Sequence, residues 1–252
     1  MYMRFLQLNV KPEGLELSRN YYLETVLPRL HSVKGCLFAH LIQDQIEKSE
    51  LISMTLWEKR EDAEEYQNSP VFKQLMEEFR PFLAGSNEWK IQLSDKMELE
   101  YKPVSEEPVI DSFPVFTQKS LKTPVSSESS PMYVRILSHK LQKGKLKEFE
   151  NLYKTEVIPA LQQTDGCLYA YLMEDLQKGE EVISVTIWES SKAAEEYEKS
   201  GIFNSLTDRI KHTFSRLYQW KMELAKESER KAVTSDDMSL SKYTIVTGRQ
   251  FK

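Results

Sequence analysis

At 252 residues the chain has room for two ordinary domains, each able to bury its own core. A net charge of -5 with no basic stripe argues against a nucleic-acid partner. No apolar run reaches membrane-spanning length, and Met1-Tyr2-Met3-Arg4 leads into a strand pattern without a signal-peptide architecture, so a cytoplasmic protein with no membrane partner is expected.

Tyr2 to Val10 reads as a first strand, and Pro12-Glu13-Gly14 turns it into a helix. There Leu15, Tyr22, Val26 and Leu30 recur on one stripe. Pro28 falls within the last turns of that helix and should kink or shorten it. Gly35 opens a second strand to Gln43, and Leu51 to Glu58 forms a third. Asp62 to Tyr66 begins a helical segment, and Ser69-Pro70 is an N-cap followed by proline at the first helical position. Trp89 to Leu99 closes the unit as a fourth strand. The order βαββαβ predicts a ferredoxin-like α+β fold with helices on one face of the sheet.

The same unit then returns. A shift of 131 residues lays Trp188 on Trp57 and runs without a gap from Tyr2 to Leu93, with roughly a third of the pairs identical. Gly35-Cys36-Leu37 meets Gly166-Cys167-Leu168, and Thr55-Leu56-Trp57-Glu58 meets Thr186-Ile187-Trp188-Glu189. Ala63-Glu64-Glu65-Tyr66 meets Ala194-Glu195-Glu196-Tyr197, Trp89-Lys90 meets Trp220-Lys221, and Pro28 meets Pro159. Lys178-Gly179 marks the hairpin turn of the second copy. The expected organisation is a domain at 1–102, a linker at 103–131 with a short strand near Val109 to Phe116, a second domain at 132–225, and a polar tail at 226–252. The tail ends in the strand-like Tyr243-Thr244-Ile245-Val246. The two repeats are expected to pack sheet to sheet as an intrachain dimeric α+β barrel, a pseudo-dimer within one chain, with further homo-oligomerisation left open.

Side chains alternate across a strand, so each strand divides into two faces. Ile52, Met54 and Leu56, with Met3 and Phe5, are assigned to the helix side because they are aliphatic or large. Leu37, Ala39 and Leu41 join them. Ser53, Thr55 and Trp57, Arg4, and Phe38 and His40 then fall on the opposite face. The equivalents there in the second copy are Ser184, Thr186, Trp188, Arg135, Tyr169 and Tyr171. This aromatic, hydroxyl-bearing face suits a flat organic ligand and equally suits a wet domain interface. Cys36 and Cys167, repeat equivalents, read as small buried packing residues.

The Gly-Cys-Leu strand start, the Thr-x-Trp-Glu strand end, the Ala-x-x-Tyr helix and the following Ser-x-x-Phe (Ser69 to Phe72, Ser200 to Phe203) together resemble the antibiotic biosynthesis monooxygenase domain of the dimeric α+β barrel superfamily. In the cofactor-independent quinone-forming branch, the resemblance implies oxidation of an aromatic or quinone-like small molecule by direct reaction of a substrate carbanion with oxygen. Tyr66, Tyr197, Arg4 and Arg135 are then the candidate catalytic groups. Trp57, Trp188, Phe38, His40, Tyr169, Tyr171, Gln7 and Ser138 are the candidate pocket. In the haem-degrading branch an Asn, a Trp and an iron-ligating His correspond by position to Gln7 and Ser138, to Tyr66 and Tyr197, and to Met76 and Thr207. None of the three is kept, so no metal, flavin or haem is expected.

A non-catalytic small-molecule-binding or stress-response module of the same fold is the alternative. Haem binding or degradation remains only through an unexpected ligand such as His40 or His139. Tyr66 and Tyr197 also read as core tyrosines with satisfied hydroxyls. No HExxH spacing, Cys/His cluster or Gly-rich phosphate loop is present. An enclosed pocket on which Arg and Tyr converge would favour the enzyme, and a filled interface the module.

Overall fold

The computed structural model of the chain describes residues 1–93, 99–105, 110–120, 131–175, 180–217, 219, 222 and 238–251. The first repeat runs β1 (Tyr2–Asn9), α1 (Leu15–Tyr21), α2 (Leu27–His31), β2 (Cys36–Asp44), β3 (Glu50–Trp57), α3 (Arg60–Asn68), α4 (Pro70–Phe79) and β4 (Gly85–Leu93). The linker carries β5 (Leu99–Ser105) and β6 (Ile110–Ser120). The second repeat follows with β7 (Tyr133–Lys140), α5 (Leu146–Leu152), α6 (Ile158–Gln163), β8 (Cys167–Asp175), β9 (Glu181–Trp188), α7 (Ser191–Lys199) and α8 (Ile202–Ile210), and the tail supplies β10 (Met238–Gln250). The fold is mixed α+β, with the ferredoxin-like strand orders β1-β3-β2 and β7-β9-β8. The Lys178-Gly179 turn and Trp220 lie outside the described residues.

Two compact units emerge. One holds Arg4–Asp111 with Val246–Lys252, and the other holds Met1–Met3 with Ser112–Ile245. In the second unit β6 pairs antiparallel with β8, and β10 pairs with β7 from Met238 to Thr244. In the first unit the Phe251 N–H donates to the Leu37 carbonyl at 2.9 Å. The fourth strand, expected from Trp89 to Leu99, instead covers Gly85–Leu93 as β4, and it pairs with β5 and does not extend the sheet beside β1. A partner close in sequence closes its ladder at lower entropic cost.

The prolines neither break nor shorten their helices. Between α1 and α2 the backbone widens into a π turn at Tyr22–Val26, with the Leu27 N–H reaching back to the Tyr22 carbonyl. The second copy repeats this at Tyr153–Val157, ahead of Pro159. A proline ring crowds the carbonyl four residues earlier and offers no N–H. One extra residue in the turn moves that carbonyl aside, so the helix continues. Ser69 caps α4 as the sequence predicts, its hydroxyl accepting from the Phe72 N–H at 3.2 Å.

Gly35 and Gly166 hold left-handed φ values of 79° and 76° just before the strand-opening cysteines. A Cβ at Gly35 would lie 2.4 Å from Asp62 Oδ2, and one at Gly166 would lie 2.5 Å from the Ala193 Cβ. The Gly-Cys motif therefore serves both the turn and the close approach of the next helix. Both cysteines are buried, and they form no disulfide.

Candidate functional site

Residues directly opposite in an antiparallel pair share a face, which fixes the sides of each sheet. Ala39 is opposite Thr55 and Leu41 opposite Ser53, whereas Phe38 and His40 are opposite Leu56 and Met54. The helix residue Tyr22 hydrogen-bonds Ser53 at 2.9 Å, and its repeat equivalent Tyr153 hydrogen-bonds Ser184 at 2.8 Å. The face bearing Ser53, Thr55, Trp57 and Arg4 is therefore the helix side, which reverses the sequence assignment for β1 and β3 and for β7 and β9. Ala39 and Leu41 were assigned correctly. Leu37 and Leu168 yield their place to the cysteines through a bulge at Cys36/Phe38 and at Cys167/Tyr169. The phase was ambiguous because both faces are buried: Met54 is 0% exposed and Thr55 1%. A strand covered on both sides shows no usable hydrophobic alternation.

Under the helices of each repeat lies a cavity. The first, about 30 Å³, is lined by β1 and β3 (Arg4, Leu6, Leu8, Ser53, Thr55), by the π-turn helix (Tyr22, Val26, Leu30) and by α3 and α4 (Tyr66, Phe72, Leu75, Met76, Phe79). The second, about 40 Å³, is lined by the same thirteen positions moved by 131 residues. Ten of the thirteen keep their residue type; only Leu8/His139, Met76/Thr207 and Phe79/Ile210 differ. The opposite face of the same strands provides a control. Of its twelve pairs, at positions 3, 5, 7 and 9 of β1, 38, 40, 42 and 44 of β2 and 50, 52, 54 and 56 of β3, only Asp44/Asp175, Glu50/Glu181 and Ile52/Ile183 are kept. Burial alone does not explain this contrast, since most of these side chains are buried too. The duplicated unit has retained the helix-side cavity.

Of the residues singled out from sequence, the fold brings Arg4 to Tyr66 and Arg135 to Tyr197, with the guanidinium carbon 5.6 Å and 5.3 Å from the ring centroid. Phe72 and Phe203 complete each clamp at 4.7 Å and 5.1 Å. Trp57 and Trp188 pack one layer behind, their rings 5.1 Å and 5.0 Å from Tyr66 and Tyr197. Each indole N–H donates to Thr55 or Thr186 at 2.9 Å, so the tryptophans position the tyrosines and do not line the cavity. Phe38 and His40, with rings 5.1 Å apart, and Tyr169 and Tyr171, at 6.4 Å, lie on the other face. Gln7 is exposed, and Ser138 donates to Glu181. Sequence reasoning missed Tyr22 and Tyr153, Phe72 and Phe203, and the placement of His139 inside a cavity. The recurrence of Tyr22 and Tyr153 on the helix stripe was the available signal.

The electrostatics of the two cavities differ. Arg4 is 2% exposed, its Nε and Nη2 have no hydrogen-bond partner, and desolvation lowers its pKa. The titratable neighbours acting on it are Tyr66, Tyr22 and Cys36, with no carboxylate among them. Arg135 instead donates from Nε to Glu198 Oε1 at 3.0 Å; its Nη2 is equally close to that oxygen but poorly aligned. Burial pushes the Tyr66 and Tyr197 phenols up, opposed by the adjacent arginines, so each stays protonated as a donor. His139 stacks on Phe214 at 4.9 Å, its Nδ1 has no partner, and burial drives its pKa down to about 3. Neither cavity fits a haem, which needs a pocket of hundreds of cubic ångströms. Among the described residues no three His, Cys, Asp or Glu side chains cluster as a metal site would require. A wider groove of about 310 Å³ beside Glu16, Arg19 and Gln43 lacks a buried unpartnered polar group.

The family model described as antibiotic biosynthesis monooxygenase matches residues 1–78 and 132–207. A candidate monooxygenase of Fusobacterium nucleatum is similar in fold, with a TM-score of 0.67 at 10% identity over 99% of this chain and 94% of that one. One from Lactobacillus acidophilus gives 0.65 at 6% identity, covering 99% and 96%. An anthrone oxidase-like protein gives 0.52 at 13%, covering 99% and 93%. No curated protein matches the sequence. At these identities the structural likeness is one of fold, whereas the family match extends over more than half the chain. The chain therefore belongs to the antibiotic biosynthesis monooxygenase family, carrying its domain twice.

Proposed function

We propose that the chain is a monooxygenase that oxidises a phenolic or quinone-like aromatic molecule at the helix-side cavities, using neither metal nor flavin. The observation that carries this reading is Arg4, a buried cation with unpartnered donors, beside a protonated Tyr66 and the hydroxyl pair Tyr22–Ser53. Such a group stabilises an oxyanion strongly, because it faces little competing water. Bound against Arg4, a phenol or enol ionises more readily, and Tyr66 donates a second hydrogen bond to the same oxygen. The negative charge delocalises onto an activated ring carbon, which gives its electrons to dioxygen. A CH₂ group plus O₂ then becomes C=O plus H₂O. No lining residue of the first cavity is suited to act as a base, so substrate acidification by Arg4 is the step the protein supplies.

The test is oxygen uptake by the full chain against a panel of polycyclic phenols and anthrone. One O₂ should be consumed per carbonyl formed, and Arg4→Met should lower the rate by about 10²-fold or more, as for loss of one oxyanion donor.

A second reading has its own support. A cavity of about 30 Å³ holds one or two waters, whereas a dry cavity near 150 Å³ is needed to take benzene. An aromatic substrate must therefore widen the space between the helices and the sheet before it can bind. A non-catalytic module that binds only a small group has no such requirement. Thermal stabilisation by a small anion such as formate, with no oxygen uptake on any panel member, would decide for the module.

A further inference from the structure

The two cavities share a frame but differ in charge, and the difference comes from one residue just outside the lining. Glu198, three-quarters buried, holds the Nε of Arg135 and also accepts from Lys242 Nζ at 2.8 Å. Its equivalent in the first repeat is Gln67, which carries no charge and is exposed. Arg4 therefore keeps its full charge facing the first cavity, surrounded by Tyr66, Tyr22, Phe72 and aliphatic side chains. A buried guanidinium with unmade hydrogen bonds is costly to leave empty, and an anionic oxygen restores both the charge balance and the missing bonds.

We infer that only the first cavity is an anion receptor, seating one anionic oxygen group on Arg4, and that Glu198 closes the second cavity to anions. This deepens the proposed function and rests on it for the choice of cavities. It makes the repeats unequal, with one site selecting an ionised ligand and the other self-neutralised. Two sources supply the same chemistry: the phenolate of an aromatic substrate, or a free small anion.

The experiment titrates the full chain, with oxygen excluded, by calorimetry with sodium formate and by absorbance with 4-nitrophenol below its solution pKa. Formate probes the free anion, and the yellow of 4-nitrophenolate reports an aromatic oxyanion. One site per chain is expected for at least one probe; which probe binds identifies the source. Arg4→Met should abolish the site, and Arg4→Lys should retain it with weakened affinity. Glu198→Gln should raise the count from one to two, and adding Arg135→Met to it should return the count to one. The inference is overturned if neither probe binds, if Arg4→Met keeps the site, or if Glu198→Gln leaves the count at one. Should Arg4→Met fail to fold, the gain of a site in Glu198→Gln still decides. Because oxygen is absent, a failure of turnover leaves these titrations readable, and a failure of binding leaves the oxygen-uptake assay to judge the enzyme.

Discussion

An anion site that is empty in the free protein should weaken the fold, and this can be measured without any substrate. Arginine stays charged at every working pH, so the desolvation cost at Arg4 is always present. Replacing a buried ion pair by apolar side chains of similar volume is neutral or stabilising by about 1–4 kcal/mol in measured cases, and removing an unpaired buried cation relieves a desolvation cost of that order. Against that gain stands the loss of two cation–π contacts, to Tyr66 at 5.6 Å and Phe72 at 4.7 Å, each worth about 2 kcal/mol when desolvated. Methionine recovers part of this through sulfur–aromatic contact, about 0.3–1.5 kcal/mol. Arg4→Met is therefore expected to be close to neutral. Arg135→Met loses the matching contacts to Tyr197 and Phe203 and in addition strips Glu198 of its buried partner. Glu198 is 25% exposed and keeps Lys242, so that extra loss is discounted to about 1–2 kcal/mol. Urea unfolding followed by tryptophan fluorescence reads the difference. Formate should stabilise the parent by mass action and leave Arg4→Met unmoved. If Arg4→Met destabilises as much as Arg135→Met does, Arg4 is not an uncompensated charge and the anion-receptor argument fails.

Gly35→Ala and Gly166→Ala should each destabilise by roughly 2–5 kcal/mol in urea, combining a left-handed φ with a clash. The two losses should be similar, since each new Cβ meets the Cβ of a helix residue, Asp62 at 2.7 Å and Ala193 at 2.5 Å. Gly144→Ala, with φ 77° and nothing within 4 Å, isolates the backbone part at about 1–2 kcal/mol, and an equal loss at all three positions would refute the packing argument. Acid sensitivity should track the buried histidines. Burial lowers His40 to about 4 and His139 to about 3 from 6.5, so the unfolded chain takes up their protons first. Their stabilisation is complete above 6.5 and is lost as pH falls toward the folded values, at about 1.4 kcal/mol per pH unit for each histidine. His139→Leu, which copies the Leu8 of the other repeat, should recover about 2–3 kcal/mol of the loss between pH 6.5 and 4.5; an unchanged acid transition would show that His139 is not buried neutral.

The sequence was most legible where it repeated itself. The step of 131 residues that aligns Trp57 with Trp188 also carries every lining residue of one cavity onto the other. The Ser69 cap was readable from local chemistry, whereas Arg4 and Tyr66 became candidates through the family resemblance, with Arg4 placed on the wrong face of the sheet to meet Tyr66. The side of the sheet was not. Aliphatic Ile52, Met54 and Leu56 looked like helix-facing residues, yet the helices rest on Ser53, Thr55 and Trp57, because hydroxyls tied to Tyr22 and to the Trp57 indole are satisfied there. A bulge at Cys36 further displaced the phase of β2, and no period-2 reading anticipates an extra residue. The π turns at Tyr22–Val26 and Tyr153–Val157 were hidden for a related reason, since the prolines signalled disruption without specifying its form.

The retained and altered positions, taken together, argue that duplication here separated two tasks. Selection for packing alone would preserve both buried faces of the strands about equally. Instead the cavity face keeps ten of thirteen residues and the opposite face three pairs of twelve. Of the three lining differences, Leu8/His139 and Met76/Thr207 add polarity to the second cavity and Phe79/Ile210 is apolar in both; just outside the lining, the Glu198 carboxylate meets the second arginine. The first two make the second cavity more polar, and Glu198 lowers its demand for an anion. The first cavity remains apolar apart from its hydroxyls and a cation with no counterion among the described residues, and that combination raises the affinity of a single negative oxygen most. If the chain oxidises a phenolate, the chemistry therefore belongs to the first repeat, and the second provides the duplicated frame with its charge already balanced.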